Sequence, residues 1–256
     1  KKPPLVIEYD TDRLQRRAKN EGVFRRLKKL YQPIPEVTCG DCGHVCCRAS
    51  PDFYLVEYLQ AWRYIRYDLA DPALEAEILH RCVRWAFLSF IDDVFCPFLF
   101  DGRCVIYEAR PLNCRVWGLE NPDYYAKKAE RAAGHAAKQE EFFAKHGVAL
   151  LKPLREFILP KCGSITVHAP EGATPLSEEQ VLDIDFEVAF LHKSLIRPEE
   201  FRSLNFTLHF PGHVALKRVP PEVFDETRIR IAREFQQDRA EHTLRQLIRK
   251  YEGKLP

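Results

Sequence analysis

Cys39-Gly40-Asp41-Cys42-Gly43-His44-Val45-Cys46-Cys47 is the stretch around which the rest of this chain has to be read. A buried free cysteine behaves as a small hydrophobe, and such residues are usually scattered along a chain. Closely spaced thiols instead place several ligands on one ion or cluster. The pattern continues downstream in Cys96-Pro97-Phe98-Leu99, Cys104-Val105-Ile106-Tyr107, Arg110-Pro111-Leu112-Asn113-Cys114-Arg115 and Lys161-Cys162-Gly163. Of the nine cysteines only Cys82 stands outside it.

Zinc takes tetrahedral sulfur or nitrogen ligands, and Cys-x2-Cys supplies a pair from one turn. A [4Fe–4S] cluster also takes four thiolates. The thiols therefore suit a pair of four-ligand sites, or one site with thiols to spare, and zinc and iron both stay open. Neighbouring side chains of an extended segment point apart. One of Cys46 and Cys47 can thus complete the Cys39/Cys42 set while the other joins the downstream group. The plainer alternative is a closed zinc staple, which contributes to folding and offers no open coordination position.

Taken in order, Cys39-x2-Cys42-x3-Cys46-Cys47, Cys96-Pro-Phe-Leu, Cys104-x-Ile-Tyr-Glu-x-Arg-Pro and Cys114-Arg resemble the YkgJ-type cysteine-cluster family. That family is described as a zinc- or iron-chelating domain with a CxxCxxCC signature, and it includes the flagellin lysine methylase of enterobacteria. The resemblance spans residues 36–165. It implies Cys39, Cys42, Cys46, Cys47, Cys96, Cys104 and Cys114 as metal ligands, with Cys162 as the remaining one. The chain departs from the signature once, because Gly43, His44 and Val45 separate Cys42 from Cys46 where the family has a two-residue gap. The resemblance also implies an alternative to plain metal binding, S-adenosylmethionine-dependent methyl transfer to a lysine of a protein substrate. Iron–sulfur electron transfer is a third reading. No GxGxxG, P-loop, nucleophile elbow or radical-SAM CxxxCxxC spacing supports a further enzyme class.

Composition sets the frame. The chain has 256 residues, of which 46% are hydrophobic and 30% charged, as in globular proteins with an ordinary core. A formal net charge of +2 argues against nucleic acid as a partner. No apolar run approaches a membrane span and no secretory h-region opens the chain, so no membrane partner is expected. Cys-x2-Cys spacing with an odd cysteine count predicts a reducing cytoplasm and metal-bound thiolates rather than disulfides.

Outward from the cysteines, the pattern predicts a mainly α protein with a small β-hairpin (α+β), compact and organised around the thiols. Residues 12–31 read as one basic helix, ended by Gln32-Pro33-Ile34-Pro35. It is expected to pack one apolar stripe, with docking to an acidic partner as the alternative. Residues 39–47 read as a loop, followed by helices near 52–69 and 72–92. Cys82 falls on the apolar face of the second and is expected in the core. Asp101-Gly102 predicts a hairpin over 96–108 that holds Cys96 near Cys104. Asn121-Pro122 opens a long helix to about His146, with Gly147 behind it. Ser177 and Gln180 form a capping box for a helix to about Leu195. A final helix is expected over 225–251. The expected organisation is a basic helical segment (1–35), a cysteine-cluster domain (36–165) and a helical extension packed on it (166–256).

Other candidates are weaker. Arg110 and Arg115 flank Cys114 and can donate to cluster sulfur, or pair with Asp92, Asp93 or Glu108. Asp92-Asp93 reads as a solvated helix end, with a cation site as the alternative. His44 can replace a thiolate. His209 and His213 can meet a metal only if helical, and Pro211-Gly212 favours a loop there.

Overall fold

The computed structural model describes residues 11–39, 45–48, 52–150, 158–168, 175–196, 207–216, 219 and 221–249. The fold is mainly helical, with short antiparallel strand pairs. No helix among the described residues is long and apolar enough to cross a membrane.

The basic segment is broken in the middle. It forms α1 (Thr11–Asn20) and α2 (Val23–Leu30), not one helix. Gly22 is the cause: it sits at φ 67, where its N–H closes onto the Lys19 carbonyl and its own carbonyl accepts from Arg26. A residue without Cβ takes that left-handed conformation at no steric cost. Leu14, Ala18, Val23 and Leu27 are buried, and the pair packs on the helices Leu55–Arg63 and Glu178–Leu195.

α3 (Leu55–Arg63) is the centre of the molecule. Leu55, Val56, Tyr58, Leu59, Ala61 and Trp62 are all buried, so most of its surface is apolar and packed, with Gln60 and Arg63 left on the open side. It begins later than expected because Asp52–Tyr54 forms strand β2, and it continues as a π-helical turn, Tyr64–Leu69. α4 (Pro72–Leu88) has Asp71 as its cap, accepting from the N–H groups of Ala73 and Leu74 at 2.9 and 3.1 Å. Cys82 is fully buried on it, as its helical position predicts.

Strands β3 (Leu99–Phe100) and β4 (Arg103–Cys104) make the predicted hairpin, shorter than expected. Asp101 and Gly102 lie at φ 46 and 73, as the tightest hairpin turn requires. α5 (Leu112–Arg115) follows, and then α6 (Pro122–Lys145), capped by Asn121. α6 closes with Gly147 at φ 71 and the Val148 N–H on the Phe143 carbonyl at 3.0 Å, a Schellman ending.

Strand β1 (Glu36–Cys39) pairs with β5 (Ile165–His168), with Cys39 opposite Ile165. The expected loop is therefore strand at its start, and Val45–Arg48 is a 3-10 turn. α7 (Glu178–Leu195) starts on the Ser177/Gln180 capping box. Strand β6 (Thr207–His209) pairs with β2 and leads into α8 (Phe210–Leu216). The loop expected at Pro211-Gly212 is thus a helix. Proline is tolerated in a first turn, where its missing N–H had no partner to lose. The single final helix is also two, α9 (Pro221–Phe235) and α10 (Ala240–Arg249), parted at Asp238 with φ 56. α8, α9 and α10 pack against α4, and α7 packs against α2 and α3. One apolar cluster runs from Leu14 through α3 and α4 to Leu244.

Candidate metal centre

Separate short pieces of chain carry the thiols. The turn Val45–Arg48 holds Cys46 and Cys47, with sulfurs 4.0 Å apart. The Cys96 N–H donates to the Cys47 carbonyl at 2.7 Å, tying this turn to the approach of the hairpin. Arg48 reinforces the tie, reaching both oxygens of Asp93 at 2.5 and 2.7 Å and lying over the Phe95 ring. The Leu99 N–H then bonds the Cys96 carbonyl, and the hairpin register sets Cys104 opposite Leu99. Cys114 comes from α5, whose turn starts at Pro111.

Burial pushes the Cys96 pKa well above the ordinary thiol value, and the charges of Cys114, Cys104 and Cys46 add to the rise. Burial raises Cys104 to about 11, with Arg110 opposing and Cys46 and Cys39 adding. Burial, then the charge of Cys104, raises Cys114. Cys46 is raised first by its hydrogen bond with Cys47 and then by burial, and Arg110 again opposes. Cys46, Cys96, Cys104 and Cys114 are thus mutually repulsive as thiolates and stay protonated at neutral pH.

The other predicted ligands are placed differently. Cys39 is exposed at the end of β1, where it reaches Tyr107 and influences Cys104. Cys162 is buried beside Gly118, Trp117 and Tyr125. Gly118 lies at φ 85, and a Cβ there would come 3.3 Å from that of Cys162 and 3.0 Å from Ile165, the residue opposite Cys39. Cys42 and His44 lie outside the described residues. Among the described residues, no three Cys, His, Asp or Glu side chains form a group that could hold a metal ion.

The remaining candidates make other contacts. Asp92 pairs with Arg84 at 3.2 Å and Asp93 with Arg48, which uses both carboxylates in ion pairs. His213 is buried on α8, its ring stacked 4.6 Å from that of Tyr58. Arg110 lies over the Tyr107 ring at 3.4 Å and Arg115 over Tyr31 at 4.7 Å.

One residue that sequence reasoning passed over stands behind the thiols. Glu57 is buried, and its Oε1 accepts from the Leu112 N–H at 2.6 Å and from the Tyr31 hydroxyl. Its Oε2 accepts from the Tyr54 N–H at 2.9 Å. Leu112 opens the helix that carries Cys114, so Glu57 fixes that helix start to α3. Burial raises its pKa to about 7 against the pull of those hydrogen bonds. Glu57 also stands three residues beyond Tyr54 at the start of α3, the usual place of a capping-box acid, but tyrosine is not an expected cap and hid the signal. No family model, no curated protein and no solved structure matches this chain.

Proposed function

We propose that this chain is a metal-thiolate protein of the YkgJ type, binding zinc or iron with donors drawn from Cys39, Cys42, Cys46, Cys47, Cys96, Cys104, Cys114 and Cys162, a set whose gathering around an ion goes beyond the described geometry. The observation that carries this reading is the thiol pattern itself, four cysteines within residues 39–47 followed by Cys96, Cys104, Cys114 and Cys162, with the Cys46 and Cys47 sulfurs 4.0 Å apart and the Cys96 N–H on the Cys47 carbonyl. Half-buried thiols at the ends of short elements can donate to a metal, although Cys96 and Cys104 also pack against the apolar core. Bound there, zinc would cross-link the turn, the hairpin and α5, and an iron–sulfur cluster would add a one-electron couple. The chain's own contribution is to hold the donors: Glu57 anchors α5, the Cys47 carbonyl anchors Cys96, and Arg110 lowers the proton affinity of Cys46, Cys104 and Cys114.

The test is anaerobic purification of the full chain, with elemental analysis and an optical spectrum on one sample. Stoichiometric zinc without colour, or iron with sulfide and a broad visible absorption, supports the reading and identifies the metal. Cys104→Ser and Cys114→Ser should each lose metal per folded molecule, while Cys82→Ser should keep it. Wild-type protein without zinc or iron, or undiminished loading in both site variants, sinks the proposal.

A further inference from the structure

A large cleft lies beside Arg110 and Arg115, and no cysteine lines it. Its volume is about 840 Å³, within the range of pockets that take small organic ligands. Its walls come from the end of α2, strand β1, the π-helical turn after α3, the segment 107–115 and His168 of β5.

Arg110 and Arg115 give the cleft its chemistry. Each guanidinium has an aromatic ring behind it, Tyr107 and Tyr31 respectively. Each is also held by backbone carbonyls: Arg110 Nε donates to Tyr107 at 2.9 Å, while Arg115 Nε and Nη2 donate to Arg110 and Glu108 at 2.8 and 2.6 Å. These contacts orient the side chains without neutralising them. Among the described residues neither arginine forms an ion pair with a carboxylate, whereas Arg63 on the same wall is paired with Asp68 at 2.7 Å. The carboxylates of Glu36 and Glu108 also border the cleft, but both residues are exposed. Two like charges kept side by side, half-buried and turned to a cavity, are what a bound oxyanion would stabilise.

We infer that this cleft binds a small organic oxyanion, a carboxylate or phosphate ester, with the anionic group on Arg110 and Arg115 and the apolar body against Tyr64 and Ile34. The guanidinium fork matches either head group bidentately. Tyr64 and Ile34 supply the apolar wall that inorganic anions would leave unused. The inference does not depend on the metal reading, because no cysteine lines the cleft.

The experiment is isothermal titration of the full-length protein with phenyl phosphate, benzoate and, as the uncharged control, phenol, at constant ionic strength. Saturable binding of phenyl phosphate or benzoate, with phenol much weaker, supports the inference, and the preferred probe identifies the head group. Arg115→Gln should weaken that binding roughly tenfold or more, since a charge-assisted fork is lost. Arg115→Lys keeps the charge and should recover part of it. Failure of both anionic probes to bind, or phenol binding as well as they do, overturns the inference on the unsubstituted chain alone. Equal affinity in a folded Arg115→Gln variant overturns it as well.

Discussion

Replacing Glu57 with glutamine should invert in effect as pH rises. The carboxyl is buried, and burial moves its pKa from 4.5 to about 7. At about 1.4 kcal/mol for each tenfold change in proton affinity, that displacement corresponds to about 3 kcal/mol. Because the folded-state value lies above the unfolded one, the stabilisation is fully present below pH 4.5 and is lost as pH rises through about 7. Glutamine has no such dependence, but its amide nitrogen cannot accept. Whichever way it turns, it faces either the Tyr54 N–H or the Leu112 N–H, leaving a buried donor unpaired at a cost of about 1–3 kcal/mol. At pH 5 the variant should therefore be the less stable protein, and by pH 8 it should match or exceed wild type. The wild-type profile alone would hide this. Burial lowers the His192 pKa to about 4, so its contribution changes with pH in the opposite direction. His192 is common to both proteins and cancels in the difference. Urea unfolding of both at pH 5, 6, 7 and 8 measures it. A difference that stays flat, or that moves toward wild type as pH rises, would refute the reasoning.

Further outcomes are expected elsewhere in the fold. His192 accepts the Leu55 N–H at 3.0 Å on Nδ1 and should remain neutral at pH 5.5; its stabilisation is present above pH 6.5 and lost as pH falls through about 4, and an imidazole NMR titration with a midpoint above 6 would contradict this. Phe143 is fully buried and stacked on Phe90 at 4.1 Å, with the Arg228 guanidinium 5.2 Å from its ring. Phe143→Ala should cost about 3–5 kcal/mol in denaturant unfolding, and a loss under about 1 kcal/mol would mean that the site collapses around the gap. Asp71→Ala removes the cap of α4 and should cost about 1 kcal/mol, while Asp71→Asn should restore most of it; equal stabilities for the two variants would discount the cap.

The elements that could be read from sequence are those whose cause is local. Asp71 with Pro72, Asn121 with Pro122 and Ser177 with Gln180 each hold a helix start within one turn of chain. Asp101-Gly102 makes its hairpin because the needed φ values belong to those residues, and Cys82 is core because its helix face is apolar. Errors arose where a local rule met a competing one. Gly22 was read through as helix although its left-handed geometry starts a new one, and Pro211 was read as a breaker although it occupies a helix's first turn. The pairing of β1 with β5 could not be seen at all, since it joins residues about 130 apart, as Thr38 and His168 show across it.

For the site, sequence alone determined which residues are candidate ligands, because close thiol spacing is a covalent property of the chain and needs no fold to be visible. Tertiary structure decided that Cys39 stands at a strand end opposite Ile165, that the Cys96 N–H meets the Cys47 carbonyl, and that Glu57 anchors the helix of Cys114. It also decided that Arg110 and Arg115 face a cleft and that Asp92 and Asp93 end in ion pairs. The physical reason is the same in each case. Burial and charge coupling depend on distance through space, and neither is encoded in the neighbours along the chain.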